Sequence, residues 1–288
     1  MGLNASGNAP GTFYYDRAAA TISYVPREGE TIATLEATAT TATQQELVKL
    51  QGASNVRWEG VHFAYGTWLD ASGQKGYIDT QSGYQCQAVA NSKDGEPPTN
   101  IAISNSLNIT VVSCAFNHLG AVYALGADGA SQGIIVSNCT FDDLSGGAVK
   151  LGKSGERGAP APDPSTPVMK QDRGYLVADN LMTDNTREYS SANPIFVGYV
   201  ADTHLVHNTI HDTKYSGICA GWGWGLSSYT RNIQIENNSI TKVMQLLSDG
   251  GGVYTNTPCP GCHVSRNYFE ADPHVYGCLC KCCLCWCR

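Results

Sequence analysis

The stretch NIQIENNSI at 232–240 is a short apolar strand that ends in asparagine and is followed by one more apolar residue. The same pattern of strand, Asn or small residue, apolar residue and turn recurs along the chain. It reads NVRWEGVHF at 55–63, NITVVSCAF at 108–116, GIIVSNCTF at 133–141 and GYLVADNLM at 174–182. THLVHNTI at 203–210 and CHVSRNYF at 262–269 complete the series. Taking Asn138, Asn180, Asn208, Asn238 and Asn267 as one column gives spacings of 42, 28, 30 and 29 residues. The long interval contains a Pro-rich insertion at 153–173. A second short strand follows most copies: GAVYALG, GGAVKLG, PIFVGYV, SGICAGW and GGGVYTN.

A period of 25 to 30 residues with two or three short strands per unit fits one coil of a solenoid. A leucine-rich repeat has a similar period, but its Leu pattern is missing. The expected fold is all-β, a right-handed parallel β-helix of the pectate-lyase-like kind, with handedness following the preference of parallel crossovers. Coils stack about 4.8 Å apart, so an Asn at one corner of every coil can form a hydrogen-bonded ladder. These asparagines are read as structural. FYYDRAAATISYVPREGE predicts a β-hairpin, Phe13–Asp16 with 21–25, packing beside the first coil. The expected organisation is a hairpin segment at 1–44, the β-helix at 45–277 and a cysteine-rich tail at 278–288. The loop at 70–99 and the insertion at 153–173 leave the solenoid, and such excursions commonly wall a binding groove.

Composition narrows the function. Of 288 residues only 15% are charged, 31 are glycine, and the net charge is −7. That balance argues against nucleic acid as a partner and mildly against a strongly anionic polysaccharide. No apolar run reaches the roughly 18 residues of a membrane helix, and the first residues do not read as a signal peptide. A monomer is expected. Twelve cysteines fall into two groups. Cys86, Cys114, Cys139 and Cys219 sit singly in apolar surroundings, whereas six crowd the last eleven residues, a tail read as foreign to the rest of the chain. Cys259, Cys262 and His263 make only half a zinc site, so a turn is the better reading, and no metal or other cofactor is expected. The sequons at Asn4, Asn108, Asn138 and Asn237 mostly fall on the coil pattern.

Several segments resemble a known group. FYYDRAAATISYVPREGE, NVRWEGVHFAYGTW, FVGYVADTHLVHNTIHDTKYSGICAGWGWG and MQLLSDGGGVYT resemble carbohydrate-active right-handed β-helix repeat proteins. Among these they are most similar to the glycoside hydrolases that include α-L-fucosidases and xylanases of plant cell-wall degradation. The resemblance covers about residues 11–277. Tyr215-Ser216-Gly217, the run Gly221 to Gly225, and Asp249-Gly250-Gly251-Gly252 carry it most specifically. It implies a polysaccharide or oligosaccharide substrate, a secreted protein, sequence ahead of the hairpin and at least one further coil bearing acidic residues. On that basis the chain is expected to be a piece of a longer enzyme.

Glycoside hydrolysis needs two carboxylates, about 5 to 5.5 Å apart for retention or 6.5 to 9.5 Å for inversion. Asp249 is the leading candidate, at a turn beside three glycines that let a ligand approach the backbone. Its alternative reading is an Asp-Gly turn residue. Aligning Val253 with Ile218 puts Lys214 under Asp249, with Asp212 two residues away and His211 beside it. The ammonium would hold Asp249 ionised, and Asp212 would be the second acid. A solvated His-Asp turn is the competing account of those two. Trp222, Trp224, Tyr215 and Tyr254 are candidate sugar platforms or, alternatively, core residues. Glu188 is a lesser acid. Two other functions fit the same fold: a polysaccharide lyase using Lys214 as base, and a non-catalytic glycan-binding or inactive β-helix.

Overall fold

A computed structural model describes residues 9–16, 18–31, 33, 35, 45–74, 76–84, 95–154, 161–222 and 227–270, and the backbone of 278–282. The chain divides into two compact units, 1–41 and 42–288. In the first unit Phe13–Asp16 pairs antiparallel with Thr21–Tyr24, as the sequence predicts. The Asp16 carboxylate accepts the Ala18 and Ala19 amides at 2.9 and 3.0 Å and closes the turn.

The second unit is a parallel β-helix. Its strands form three parallel sheets of seven, seven and eight strands among the described residues. Sheet I contains Ser54–Glu59, Leu107–Val112, Gln132–Ser137, Leu176–Ala178, Ala201–Val206, Arg231–Glu236 and His263–Ser265. Sheet II contains His62–Ala64, Ala115–Leu119, Thr140–Leu144, Leu181–Thr183, Thr209–His211, Ser239–Thr241 and Tyr268–Glu270. Sheet III contains Val48–Gln51, Thr99–Ser104, Tyr123–Asp128, Gly147–Leu151, Ile195–Val197, Ile218–Ala220, Gly251–Thr255 and Cys278–Cys282. Each coil runs from sheet III to I to II. Among the described residues no helix is long and apolar enough to cross a membrane.

Strict register makes columns of like residues. Phe63, Phe116, Phe141, Met182, Ile210 and Ile240 stack along sheet II. The rings of Phe116 and Phe141 lie 4.4 Å apart and nearly parallel. Ile101, Leu125, Val149, Ile195, Ile218 and Val253 stack along sheet III, all essentially without exposure. Each such side chain contributes roughly 1.5 to 3 kcal/mol by leaving water.

The corner between sheets I and II carries the ladder. The Asn180 amide and side-chain Nδ2 both donate to Asn208 Oδ1, at 3.2 and 2.9 Å. Asn208 repeats this onto Asn238, and Asn238 onto Asn267. Each Nδ2 also donates to a strand carbonyl of the preceding coil, as Asn208 does to Val177 at 3.0 Å. Asn138 does not belong to this column. The residue paired one coil before Asn180 is Cys139, whose amide donates to Asn180 Oδ1 at 2.9 Å, and Cys114 lies before it. Asn138 sits one position earlier, where Ser113, Asn138, Asp179, His207, Asn237 and Arg266 all have φ between +51° and +58°. Asparagine tolerates that left-handed conformation well, which makes the two columns easy to confuse. Cys259 and Cys262 form a disulfide within the turn before His263–Ser265.

Replacing Asn208 with alanine strands the buried Asn180 amide and Val177 carbonyl. Asn208→Ala is expected to lower the unfolding free energy by about 3 kcal/mol in urea denaturation. Asn237→Ala, one position away and outside the ladder, is expected to cost about 1 kcal/mol or less. Equal losses at the two positions would contradict the ladder's role.

Candidate functional site

The turns from sheet II to sheet III begin with a second left-handed column: Tyr65, His118, Asp143, Asp184, Asp212 and Lys242, with φ between +48° and +61°. Their side chains pair along the solenoid. Tyr65 stacks on His118, and His118 Nδ1 is 2.5 Å from Asp143 Oδ2. Arg187 bridges Asp143, at 3.1 Å, and Asp184. Asp212 belongs to this row. His211 Nδ1 contacts its Oδ2 at 2.6 Å, Gln245 Nε2 donates to its Oδ1 at 3.2 Å, and Lys242 Nζ lies at 3.9 Å. Partial burial opposes ionisation of Asp212. The His211 and Gln245 hydrogen bonds and the Lys242 charge outweigh it and hold the carboxyl below its ordinary range.

Asp249 lies at the other end of its turn, just before Gly251–Thr255, and is exposed with a φ of +64°. Ile218 does pair with Val253. The turn between them departs from simple register, because the Lys214 carbonyl accepts the amides of Leu246 and Leu247 at 3.1 and 2.9 Å. The Lys214 ammonium turns to the preceding coil and donates to the Arg187 carbonyl. Asp249 is anchored by Gln81, whose Nε2 donates to its carbonyl at 3.1 Å and its Oδ2 at 3.0 Å, and by the Tyr215 hydroxyl, which donates to its carbonyl at 2.8 Å. Glu188 is exposed on the turn after Leu181–Thr183, its amide donating to the Ser145 carbonyl. Asp212 and Asp249 therefore occupy opposite ends of the sheet II to III connections, with different partners.

The aromatic candidates lie inside. Trp222, Tyr215 and Tyr254 retain 0%, 1% and 4% exposure. Trp222 meets Tyr254 edge-on at 5.2 Å and approaches Tyr84 and Phe196 at 6.0 and 6.2 Å. Burial raises the Tyr215 phenol well above its ordinary range. Trp224 lies outside the described residues. The enclosure arises because sheet III is covered on both faces. Lys150, Phe196, Cys219 and Tyr254 are in register between inward apolar neighbours and so point outward. From the loop between His62–Ala64 and Thr99–Ser104, residues 81–84 and Glu96 lie over them. Ser82 Oγ donates to Cys219 Sγ at 3.0 Å, and the Ser82 carbonyl accepts the Tyr123 hydroxyl at 2.9 Å. Burial pushes the Cys219 thiol up to about 12 against hydrogen bonds from Ser82 and Ser216.

The two excursions from the solenoid meet at Lys150. Its Nζ lies 2.7 Å from Glu96 and 3.9 Å from Asp128, and Ser154 Oγ contacts Glu96 at 3.2 Å. Burial alone would lower the Lys150 pKa, but Glu96 and Asp128 raise it instead. Asp172, from the insertion, accepts Tyr175 Oη at 2.8 Å and the Ser131 amide at 2.9 Å. Burial pushes its carboxyl up to about 6; Tyr175 and Ser131 hydrogen bonds and the Lys150 charge oppose the shift, while Asp128 adds to it. Sequence reasoning missed this cluster and the Gln81-Ser82 contacts. The available signal for the cluster was the single lysine in the apolar strand GGAVKLG.

No protein-family profile and no curated relative matches the sequence. A solved structure titled "Glycoside hydrolase" superposes with a TM-score of 0.77 at 24% identity, over 93% of this chain and 49% of that one. The chain thus spans about half the length of that structure, and at this identity the likeness establishes the fold.

Because its folded pKa is raised, Asp172 adds stability below pH 4 that is lost as the pH rises through about 6. Relative to Asp172→Asn, the wild-type chain is expected to lose about 2 kcal/mol between pH 4 and 7. Parallel pH profiles of unfolding free energy would contradict the assignment.

Proposed function

We propose that the chain is part of a carbohydrate-active enzyme, a glycoside hydrolase acting on a plant- or algal-type polysaccharide through paired carboxylates, with Asp249 as nucleophile or base. The observation that carries this reading is the exposed Asp249 carboxylate. It is held by Gln81 and, through its own carbonyl, by Tyr215, next to the glycines at 250–252. Anchoring the backbone of a catalytic acid fixes its direction before substrate arrives, and neighbouring glycines leave room for a sugar ring. The fold shared with a structure titled "Glycoside hydrolase" supports the same reaction class. Asp212 and Glu188 are the proposed sources of the second carboxylate. His211 and Lys242 keep Asp212 ionised, which suits a base or nucleophile better than a proton donor. Tyr215, Tyr254 and Trp222 would support the sugar site from beneath.

A second reading is a glycan-binding β-helix without turnover. The separate locations and partners of Asp212 and Asp249 favour it. The lyase reading has less support, because the ammonium it would use as base, that of Lys214, donates to the Arg187 carbonyl.

Turnover of a panel of plant and algal polysaccharides separates these readings. Asp249→Asn is expected to reduce kcat about 10²- to 10⁴-fold while leaving the urea midpoint unchanged. Sugar binding with no turnover by the wild-type chain would favour the binding reading. Cleavage that requires calcium and a uronate would favour the lyase.

A further inference from the structure

Gln81 and Ser82 make contacts that a surface loop does not need. Ser82 is fully buried in the left-handed region, with φ +62° and ψ 12°, a conformation that costs a non-glycine residue on the order of 1 kcal/mol. Gly83 follows with φ +52°, and a Cβ there would come within 3.0 Å of Ala192 Cα, so the backbone presses directly on the next turn. Beneath this strap lies a polar floor on and beside the outer face of sheet III. Tyr123, Asn193, Ser216 and Cys219 are all at 0% exposure. Asn193 Nδ2 donates to the Ser216 carbonyl at 2.8 Å, while its Oδ1 has no hydrogen-bond partner among the described residues. Ser216 Oγ accepts the Gly251 amide at 3.0 Å. Buried polar groups of this density are costly unless something pairs with them.

The strap supplies part of that pairing, to Tyr123, Cys219 and Asp249, in a particular form. It offers a primary hydroxyl to Cys219, a carbonyl to Tyr123 and a carboxamide to Asp249. Uncharged donors and acceptors placed beside aromatic rings are the pattern of a sugar ring carrying several hydroxyls. Tyr215, Tyr254 and Trp222 provide the rings. Asp249, the proposed catalytic carboxylate, closes one end.

We propose that Gln81 and Ser82 are a built-in occupant of a neutral-sugar subsite formed by Tyr123, Asn193, Ser216 and Asp249, and that the strap lifts to admit the substrate. This rests on the carbohydrate reading above and adds the subsite and its cover. The strap pairs with the floor only when it is down, so an entering sugar replaces its hydrogen bonds rather than paying to bury bare polar groups. The strained Ser82 backbone is released on opening, which lowers the cost of the exchange.

Cys219 reports on the strap directly, since its thiol is covered by Ser82. In the full chain, iodoacetamide labelling read at the Cys219 peptide by mass spectrometry follows the open population. Gln81→Ala, at a half-buried residue, and Tyr123→Phe, at a buried one, each remove strap contacts. Both are expected to speed Cys219 labelling about tenfold or more. Cellohexaose, xylohexaose or mannohexaose is then expected to slow labelling of the Gln81→Ala protein and to bind it at least about threefold more tightly than the wild type. Unchanged labelling in both variants would overturn the strap and leave the hydrolase reading intact. Faster labelling that none of the three neutral sugars slows would overturn the sugar subsite and count against the carbohydrate reading itself.

Discussion

The turn between sheets I and II leaves backbone groups beyond the reach of any sheet partner, and a column of side-chain amides satisfies them. Asn208, Asn238 and Asn267 each take the amide and side-chain donors of one neighbour, Asn180 takes the Cys139 amide, and all four give a donor to the strand carbonyl of the coil behind. A slip of one residue would break several of these bonds at once, so the ladder fixes the register of successive coils. Earlier in the chain Cys139 and Cys114 occupy the same positions. Thiols donate weakly, and there the apolar stack of Phe63, Phe116 and Phe141 shares the task of holding the coils together.

Register in turn creates the candidate functional surface. Because Lys150, Phe196, Cys219 and Tyr254 occupy equivalent positions, the outer face of sheet III becomes a continuous column rather than scattered residues. The same register gathers His118, Asp143, Asp184, Asp212 and Lys242 into a charged row at the neighbouring corner. The two features divide the labour of the turn. The row is exposed or half-buried and paired largely within itself, while the face of sheet III is enclosed and meets the excursions through Gln81, Ser82, Glu96 and Ser154.

What could be read from sequence follows from how local each feature is. The coil period was legible because apolar alternation and Asn recur within each short segment. Asn138 was misplaced because Asn237 and Asn238 are adjacent and both columns accept asparagine, so spacing alone could not tell a left-handed corner from the ladder position beside it. The Trp222 and Tyr254 environments were not legible. Their enclosure depends on a loop 138 or more residues away in sequence, with no repeat to announce where it lands. The pairing of Val253 with Ile218 could be aligned by pattern, but the Lys214 orientation could not, because the intervening turn rearranges its own hydrogen bonds.

Carbohydrate binding on the outer face of sheet III, with Asp249 at its edge, is the proposal on which the function rests. Hydrogen exchange resolved by peptide, with and without a saturating oligosaccharide that the chain binds, tests it most directly. Altered exchange is expected in Ile218–Ala220, Gly251–Thr255 and residues 76–84, with sheets I and II unchanged. Protection confined to sheet I or sheet II, with residues 76–84 and Gly251–Thr255 unaffected, would contradict it.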